Sequence, residues 1–404
     1  MSRETHAVAG SDPAPRPTVA LVAHGVHDQG GMERACAELI RQTGDRLAFV
    51  LVATEVDPGL RDLVAGVVDV RVPRRPMPLR FALFFVKAGW ALRHVHADVV
   101  HTVGAIVPNR VDLASVHFCH AGYREVVGFA GLPQPSLARR LSGALGRWEA
   151  RAAERWCYCP GRLRALAAVS HGVAAEVERH FPGLPVVVTA NGVDTERFRP
   201  SPASRDHLRR ATSTGQAEVV ALFVGGDWYR KGLELAIGGL ALAAASGAPM
   251  RLWVVGAGDE TTFRGIARRA GVADHVVFFG PRDDTAPFCQ AADLFVLPSA
   301  YETFSLASFE AAACGLPLVI PPLHGAIELV GDDEGGIVVD RTASSIGMAF
   351  ARLAQDENLR RRLGAEARRR ASAFSWERSA ASVAGVYEAL LERAPAPQAA
   401  AGSQ

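Results

Sequence analysis

Two glutamates separated by seven residues, Glu302 and Glu310, lie in the segment PSAYETFSLASFEAAACG. The segment follows an apolar strand candidate, Thr303 and Ser305 are candidate N-caps, and a helix is predicted over LASFEAAACG, ending at Gly315. Glu302 is therefore expected just before the helix and Glu310 within it. Free amides at a helix start bind phosphate, and carboxylates accept hydrogen bonds from vicinal hydroxyls. The pattern favours a phosphorylated-sugar site over two unrelated surface glutamates.

A pair of glycines and a pair of cations lie close together in FVGGDWYRKG. Gly225 and Gly226 end a strand candidate, and Arg230 and Lys231 are expected at the start of the next helix. Adjacent cations there suit a diphosphate, although a solvated surface pair is the common alternative. The segment is not a P-loop, because Gly232 follows the lysine where Ser or Thr would be required.

Two further loops contain candidate site residues. In QGGMER, Gly30 and Gly31 precede a helix, which is typical of an anion site and equally of an ordinary tight turn. His117 closes the strand candidate DLASVHF and could donate to a substrate hydroxyl or a leaving group. His120 is a rival that sequence chemistry does not separate from His117.

Two common sequence motifs for binding a cofactor or a metal are absent or incomplete. VVGAGDET has Thr261 where a dinucleotide fingerprint requires its third glycine, which argues against NAD. The chain contains no Asp-x-Asp, the pair that would present two carboxylates to a metal holding a nucleotide diphosphate. We therefore expect no cofactor, and metal-independent chemistry if phosphate is bound.

Length and composition favour a two-domain globular enzyme. The chain has 404 residues, about half of them apolar, and 44 basic against 42 acidic side chains, a balance that argues against nucleic acid as a partner. Six cysteines without a Cys-x-x-Cys pair favour a reducing compartment. The N-terminal residues lack the apolar core of a secretory signal, and LRFALFFVKAGWAL is too short to span a membrane and contains Lys87, so it is predicted to pack as a helix.

Short apolar segments alternate with helix-compatible stretches in both halves of the chain. This predicts an α/β fold with two Rossmann-like, doubly wound parallel sheets. Because ligands bind outside the carboxyl ends of such strands, the two domains should face a central cleft. The predicted units are a disordered leader (1–17), an N-terminal Rossmann-like domain (18–197), a C-terminal Rossmann-like domain (198–372), an amphipathic helix (373–393) and a disordered tail (394–404).

The whole pattern resembles the retaining glycosyltransferases of family 4, which have the GT-B fold. The most specific part is PSAYETFSLASFEAAACGLPLV, which is similar to the family's E-x7-E block. QGGMER, AAVSHGV, TANGVDTERF, RKG and ADLFVLPS add weaker matches, and the resemblance extends from Val19 to about Arg393. The form GGDWYRKG looks closest to the lipopolysaccharide-core branch.

The resemblance implies that residues 18–197 form the acceptor domain, that residues 198–372 form the nucleotide-sugar domain, and that the helix 373–393 crosses back to the N-terminal domain. It also implies a role for each matching residue. Glu310 would bind the donor ribose, Glu302 the transferred sugar, and His117 would be the catalytic histidine. Retention would follow from front-face attack, with the departing phosphate oxygen helping to remove the acceptor proton. The candidate catalytic residues are His117, Glu302, Arg230 and Lys231; the candidate donor-binding residues are Gly30, Gly31, Gly225, Gly226, Arg230, Lys231, Arg282, Thr303, Phe304, Ser305, Leu306 and Glu310.

Three residues depart from the family pattern. Gly226 stands where arginine is common, Ser305 where glycine is usual and Thr303 where proline is usual. Two alternatives to a transferase therefore stay open, a nucleotide-sugar 2-epimerase and a catalytically silent sugar-nucleotide-binding subunit. The donor base, the sugar and the acceptor depend on loop shapes that the sequence does not specify.

The expected partners are a nucleotide-sugar donor and a sugar, lipid-linked or small-molecule acceptor, in the cytoplasm. Residues 139–164 (RRLSGALGRWEARAAERWCYCPGRLR) combine many arginines with two tryptophans. This composition is typical of peripheral contact with an anionic membrane, such as the inner face of the plasma membrane, and equally of a solvated basic helix.

Overall fold

The computed structural model describes residues 16–128 and 137–392. The predictions for the leader and the tail therefore fall almost wholly outside the described residues. The elements up to residue 188 are β1 (Thr18–Val22), β2 (Gly25–Val26), α1 (Gly31–Thr43), β3 (Ala48–Ala53), β4 (Glu55–Val56), α2 (Pro58–Arg61), β5 (Gly66–Asp69), α3 (Met77–Leu92), β6 (Val99–Val103), β7 (Val111–Val116), α4 (His120–Val127), α5 (Leu137–Cys157), β8 (Leu163–Ala168), α6 (His171–His180) and β9 (Val186–Val188).

The second half repeats the alternation of strands and helices. Its elements are α7 (Pro202–Ala211), β10 (Val219–Val224), α8 (Trp228–Lys231), α9 (Leu233–Ala245), β11 (Met250–Val255), α10 (Glu260–Arg269), a short 3-10 helix (Ala273–His275), β12 (Val276–Gly280), α11 (Ala286–Ala291), β13 (Leu294–Val296), α12 (Leu306–Ala313), β14 (Leu318–Ile320), α13 (Ile327–Val330), β15 (Gly336–Val338), α14 (Ala343–Gln355), α15 (Glu357–Ala371) and α16 (Trp376–Glu392).

Each half is built on one parallel sheet. The first sheet has the strand order β5-β3-β1-β6-β7-β8-β9, and the second has the order β12-β11-β10-β13-β14-β15. All strand pairs in both sheets are parallel. The predicted α/β class with two parallel sheets is confirmed.

The first sheet is buried on both faces. Along β1, Ala20 and Val22 belong to one apolar core, whereas Val19 and Leu21 belong to another. This alternation follows from the pleat of a strand, which turns successive side chains to opposite faces. Helix α16 covers the second core with residues that include Tyr387.

The order of the second sheet reverses between β10 and β13, which are neighbours. Connections from these two strands leave in opposite directions, so a crevice opens between their carboxyl ends. The loops after β10 and β13 contain Gly225, Gly226 and Glu302. The fold therefore brings together two segments that are about 70 residues apart in the sequence.

The chain crosses between the halves at two adjacent places. The backbone N–H of Val193 donates to the carbonyl of Phe374 at 2.9 Å. Beyond this crossing, α16 packs against α1 and β6 of the first half. Tyr387 Oη and His101 Nδ1 form a hydrogen bond of 2.6 Å, which fixes α16 on the first sheet. The exact boundaries at 197 and 372 stay predictions.

Short strands account for most of the differences from the sequence prediction. The four-residue β5 and the three-residue β15 lie at sheet edges and were not predicted, nor was the two-stranded sheet of β2 and β4. Helix α8 is also different, because Arg230 and Lys231 end this four-residue helix rather than start the longer one. Gly232, at φ +74°, separates α8 from α9.

Candidate active site

One cavity of about 610 Å³ lies between the two halves, at the carboxyl ends of both sheets. Nearly all the residues singled out from the sequence line it. Arg230 lies behind Glu302 and does not line the cavity, and neither does His120. The predicted residues that line it are Gly30, Gly31, His117, Gly225, Gly226, Lys231, Arg282, Glu302, Thr303, Phe304, Ser305, Leu306 and Glu310.

The glycines bring backbone close to the cavity. Gly225 has φ +135°, which is accessible to glycine but strained for other residues. A Cβ added to it would lie 2.6 Å from Lys231 Cε, so a side chain here would displace the lysine. Gly30 has φ +85° and stands at the N-cap of α1. Both turns therefore need glycine where the sequence has it.

Two helix N-termini border the same cavity. Gly30 and Gly31 begin α1 in the first half, and Ser305 and Leu306 begin α12 in the second. Each N-terminus presents free amides and the positive end of a helix dipole. The cavity is therefore suited to a group with several negative oxygens.

The cap of α12 differs from the sequence prediction. Ser305 occupies the N-cap position with φ +68°, but its hydroxyl makes no capping hydrogen bond. The hydroxyl instead lies 2.8 Å from the hydroxyl of Ser308. Thr303, the other predicted cap, donates its hydroxyl to the carbonyl of His117 at 2.7 Å. The amides at the start of α12 are therefore not satisfied by either hydroxyl.

Glu302 is held in its ionised form. Its Oε1 accepts from Lys231 Nζ at 2.9 Å, from Arg230 Nη1 at 3.0 Å and from Ser299 Oγ at 3.0 Å. Burial alone would raise the pKa of Glu302, but Lys231 and Arg230 more than offset this and hold that pKa below its ordinary value. All three donors reach the same carboxylate oxygen, Oε1.

Arg230 is a support for Glu302 rather than part of the cavity wall. Its Nη1 also donates to the carbonyl of Tyr301 at 2.6 Å, and its Nε donates to Asp227 at 3.0 Å. Lys231 does line the cavity and is one of only two lysines in the chain, the other being Lys87. Of the adjacent pair Arg230 and Lys231, Lys231 therefore lines the cavity and Arg230 does not.

Glu310 lies in a different environment at the other end of the segment. Its Oε1 accepts from Arg34 Nη1 of α1 at 3.1 Å, which joins the two halves of the molecule. Burial raises the pKa of Glu310 to about 7, and Arg34 offsets only part of that effect. This carboxyl group is therefore poised to change its charge near neutral pH.

His117 directly follows β7 and borders the cavity. Loss of solvation lowers the pKa of its ring to about 4, so the ring is neutral at pH 7. A neutral imidazole can donate one hydrogen bond and accept another. His120 instead begins α4, packs on Phe118 and has its backbone N–H bound by Glu154 Oε1 at 2.7 Å. Its position separates it from the cavity.

The loop that contains Glu302 is also fixed by residues of the first half. The hydroxyl of Tyr301 donates to Glu176 Oε2 at 2.7 Å, and Ser170 Oγ donates to the carbonyl of Thr303 at 2.7 Å. Glu176 Oε1 lies 3.0 Å from His324 Nε2. These contacts hold the residues on both sides of Glu302 against the first half.

Several residues of the site were not predicted from the sequence. Arg34 bridges to Glu310, and Arg197 and Asn191, from the crossing between the halves, also line the cavity. The only available signal for Arg34 was its position one turn after Gly31. Within residues 16–128 and 137–392, no three His, Cys, Asp or Glu side chains are grouped so that they could hold a metal ion.

Comparisons with known proteins are consistent with this geometry. Residues 29–197 match the family described as Glycosyltransferase Family 4, and residues 204–370 match the family described as Glycosyl transferases group 1. A D-inositol 3-phosphate glycosyltransferase of Acidothermus cellulolyticus is 28% identical over 97% of this chain and 94% of its own length.

Solved structures show the same fold. WaaG, a glycosyltransferase involved in lipopolysaccharide biosynthesis, aligns with a TM-score of 0.77 at 21% identity over 91% of this chain and 99% of its own. Alr3699/HepE of Anabaena, in complex with UDP-glucose, aligns with a TM-score of 0.68 at 18% identity over 93% and 99% of the two chains. The predicted GT-B fold is confirmed. Because the two family matches together cover most of the sequence, this chain belongs to the GT-B glycosyltransferases, with a family 4 N-terminal half and a group 1 C-terminal half.

Proposed function

We propose that the chain transfers a sugar from a nucleoside-diphosphate sugar to an acceptor hydroxyl, with retention of the anomeric configuration and without a metal. The observation that carries this proposal is that Glu302, Glu310 and Lys231 share one cavity with two helix N-termini. A sugar diphosphate needs cations and amides at the phosphates, and carboxylates at the ribose and the sugar. The cavity supplies all of these.

The diphosphate would lie between the N-termini of α1 and α12, close to Lys231. Transfer breaks the bond between the anomeric carbon and the phosphate oxygen, so negative charge increases on the leaving group. Positioned donors are most effective where charge develops in the transition state. Lys231 and the amides of Ser305 and Leu306 would supply this stabilisation, as the metal does in metal-dependent transferases.

The sugar and the ribose would be bound at opposite ends of the segment. Glu302 is ionised and has Oε2 available for a hydroxyl of the transferred sugar. Glu310 would accept the ribose hydroxyls, with Arg34 fixing its orientation. His117, which is neutral, would hydrogen-bond the donor sugar next to the anomeric carbon.

Retention is proposed to follow from attack on the same face as the leaving group. The acceptor oxygen would form the new bond to the anomeric carbon while its proton moves to the departing phosphate oxygen. The product is a glycoside and a nucleoside diphosphate. No residue of the chain needs to be glycosylated in this scheme.

The donor can be identified by thermal unfolding. A panel of UDP-, GDP-, ADP- and TDP-sugars should contain one that raises Tm clearly above the others, because a ligand that binds only the folded state stabilises it. UDP-glucose is the first to test, since Alr3699/HepE binds it in its structure. The preferred donor is then incubated with sugar, polyol and lipid-linked acceptors, and the product anomer is determined by NMR.

Three results would contradict the proposal. A product of inverted configuration would exclude front-face attack. Conversion of the sugar nucleotide to an epimer without any acceptor would show an isomerase instead. A donor that binds but yields no product with any acceptor would favour the non-catalytic alternative.

A further inference from the structure

Large apolar side chains are exposed on two neighbouring helices of the first half, α3 and α5. The most exposed tryptophans are Trp90 on α3, at 65%, and Trp148 on α5, at 62%. Elsewhere in the described residues the exposed large apolar side chains are scattered. The residues of this α3/α5 surface are Met77, Leu79, Val86 and Trp90 on α3 and Leu141, Leu145, Trp148 and Trp156 on α5.

The α3/α5 surface is separate from the cleft. The two helices pack against each other, and a groove of about 410 Å³ runs between them, with Phe81, Phe85 and Trp156 among its walls. None of the residues that line this groove lines the active-site cavity. Folded proteins rarely expose a clustered apolar surface without a binding partner.

The charges around this surface have one dominant sign. Between Asp69 and Asp98 the sequence contains no acidic residue but has five arginines and Lys87. Helix α5 adds Arg147, Arg151 and Arg155. A surface that is apolar at its centre and cationic around it complements a bilayer that contains anionic lipid.

The two acids of α5 do not reverse this charge. Glu154 is buried and accepts the backbone N–H groups of His120 and Ala121 at 2.7 and 3.1 Å. Glu149 lies in the groove, where burial raises its pKa. Neither carboxylate is part of an exposed acidic patch.

We propose that the α3/α5 surface docks on a membrane that contains anionic lipids. Tryptophan rings lie at the boundary between headgroups and acyl chains, and arginines reach the phosphates while their stems cover apolar surface. In the described part of the chain, no helix is long and apolar enough to cross a bilayer, so the contact is peripheral.

After docking, one layer of packed residues would separate the membrane from the cleft. Glu154 of α5 fixes the start of α4, and Phe118, just before α4, packs on Tyr301 with ring centroids 5.2 Å apart. Tyr301 directly precedes Glu302. The arrangement suits an acceptor that is presented at a membrane surface, although docking itself does not depend on the transferase proposal.

The test is flotation of the purified chain with vesicles of phosphatidylcholine alone or with about 30% phosphatidylglycerol, at low and high salt. The wild-type chain is expected to float with the anionic vesicles at low salt and to be released by salt. Two double variants should each reduce the bound fraction about tenfold or more. One is Trp90→Ser with Trp148→Ser, and the other is Arg93→Glu with Arg155→Glu.

The second half provides a matched control. Leu242 and Met348 are also exposed, so Leu242→Ser with Met348→Ser removes similar apolar area at another place and should leave binding unchanged. Circular dichroism and Tm confirm that each variant is folded.

Two outcomes would overturn the proposal. One is a wild-type chain that stays at the bottom of the gradient with anionic vesicles at low salt. The other is a concentration-dependent dimer, seen by light scattering, that the tryptophan variant dissociates while vesicles are not bound. That second result would identify the α3/α5 surface as an interface between two copies of the chain.

Discussion

The two ends of the segment from Glu302 to Glu310 place the same side chain in opposite electrostatic environments. Glu302 accepts from Lys231 and Arg230, and its pKa lies below the ordinary value. Glu310 has a single cationic partner at hydrogen-bond distance, Arg34, and burial raises its pKa to about 7. Both carboxylates line the same cavity.

The comparison shows that position in a sequence motif does not determine the charge of a carboxylate. Burial penalises the ionised form at both positions, and the strength of the opposing contacts decides the outcome. Lys231 and Arg230 outweigh burial at Glu302, whereas Arg34 and Arg197 offset only part of it at Glu310. In the proposed function, the carboxylate next to the transferred sugar stays ionised, whereas binding by the carboxylate assigned to the ribose depends on pH.

Of the predicted changes, the removal of Lys231 is expected to reduce catalytic activity most. Lys231→Ala deletes one of the two cations beside Glu302, the one of that pair that lines the cavity. We expect kcat/KM to fall on the order of 10²-fold or more, by analogy with the loss of other positioned donors. Steady-state kinetics with the preferred donor measures this.

The matched control is Lys87→Ala, which changes the other lysine of the chain, far from the cleft on α3. It should keep full turnover with a soluble acceptor. Lys231→Arg should recover part of the activity, because it restores the charge. Full turnover of Lys231→Ala would remove the diphosphate assignment.

Loss of Glu310 should act mainly on donor binding. Glu310→Ala removes the proposed acceptor for the ribose hydroxyls and breaks the ion pair with Arg34 across the cleft. Hydrogen bonds to charged groups are worth roughly 1.5–3 kcal/mol, so donor affinity should fall by about tenfold or more. Calorimetric titration with the nucleotide alone isolates this effect from the sugar.

Glu357→Ala is a suitable control, because Glu357 is an exposed carboxylate on α15 of the same half. Its affinity for the nucleotide should equal that of the wild type. A Glu310→Ala chain that binds the nucleotide normally would contradict the ribose assignment.

Much of this site could be predicted from local sequence patterns. Apolar runs that end in glycine identified the long strands, and the position of Glu302 before α12 and of Glu310 within it was predicted correctly. These features depend on residues close together in the chain. The same holds for the position of His117 at the end of β7.

The rest depended on contacts between distant residues. Arg34 and Glu310 are 276 positions apart, so their ion pair follows only from how the two halves face each other. The hydroxyl of Ser305 pairs with Ser308 rather than with a backbone amide, a choice between two local partners that the pattern did not reveal. Strand β15 has three residues, too few to show a period.

The pH dependence of donor binding should distinguish the two glutamates. Ribose hydroxyls bind best to an ionised carboxylate, and Glu310 ionises with a pKa of about 7. Affinity for the sugar nucleotide should therefore increase between pH 6 and pH 8, by up to about tenfold. A sugar diphosphate has no group of its own that titrates in this range.

The two carboxylates should also affect folding stability with opposite signs. The raised pKa of Glu310 means that its burial penalty is absent below about pH 4.5 and fully present above about pH 7. The lowered pKa of Glu302 means that its stabilisation is present above its unfolded pKa and is lost as pH falls through its folded pKa. In Glu310→Gln, both the rise in affinity and the loss of stability between pH 5 and pH 8 should be flattened. An unchanged affinity profile in this variant would assign the titration to another group.

The smallest expected effect comes from the contacts that hold the Glu302 loop against the first half. Glu176→Gln keeps the size of the side chain but weakens its hydrogen bonds to Tyr301 and His324. A neutral hydrogen bond contributes roughly 1 kcal/mol, so kcat should fall about fivefold while nucleotide affinity stays near that of the wild type. This split is expected because Glu176 does not line the cavity and acts only by positioning Glu302. Glu125→Gln, an exposed change on neighbouring α4, serves as the control. If Glu176→Gln instead weakened nucleotide binding and kcat together, the contact would hold the whole cleft closed, and the environments of Glu302 and Glu310 would both depend on it.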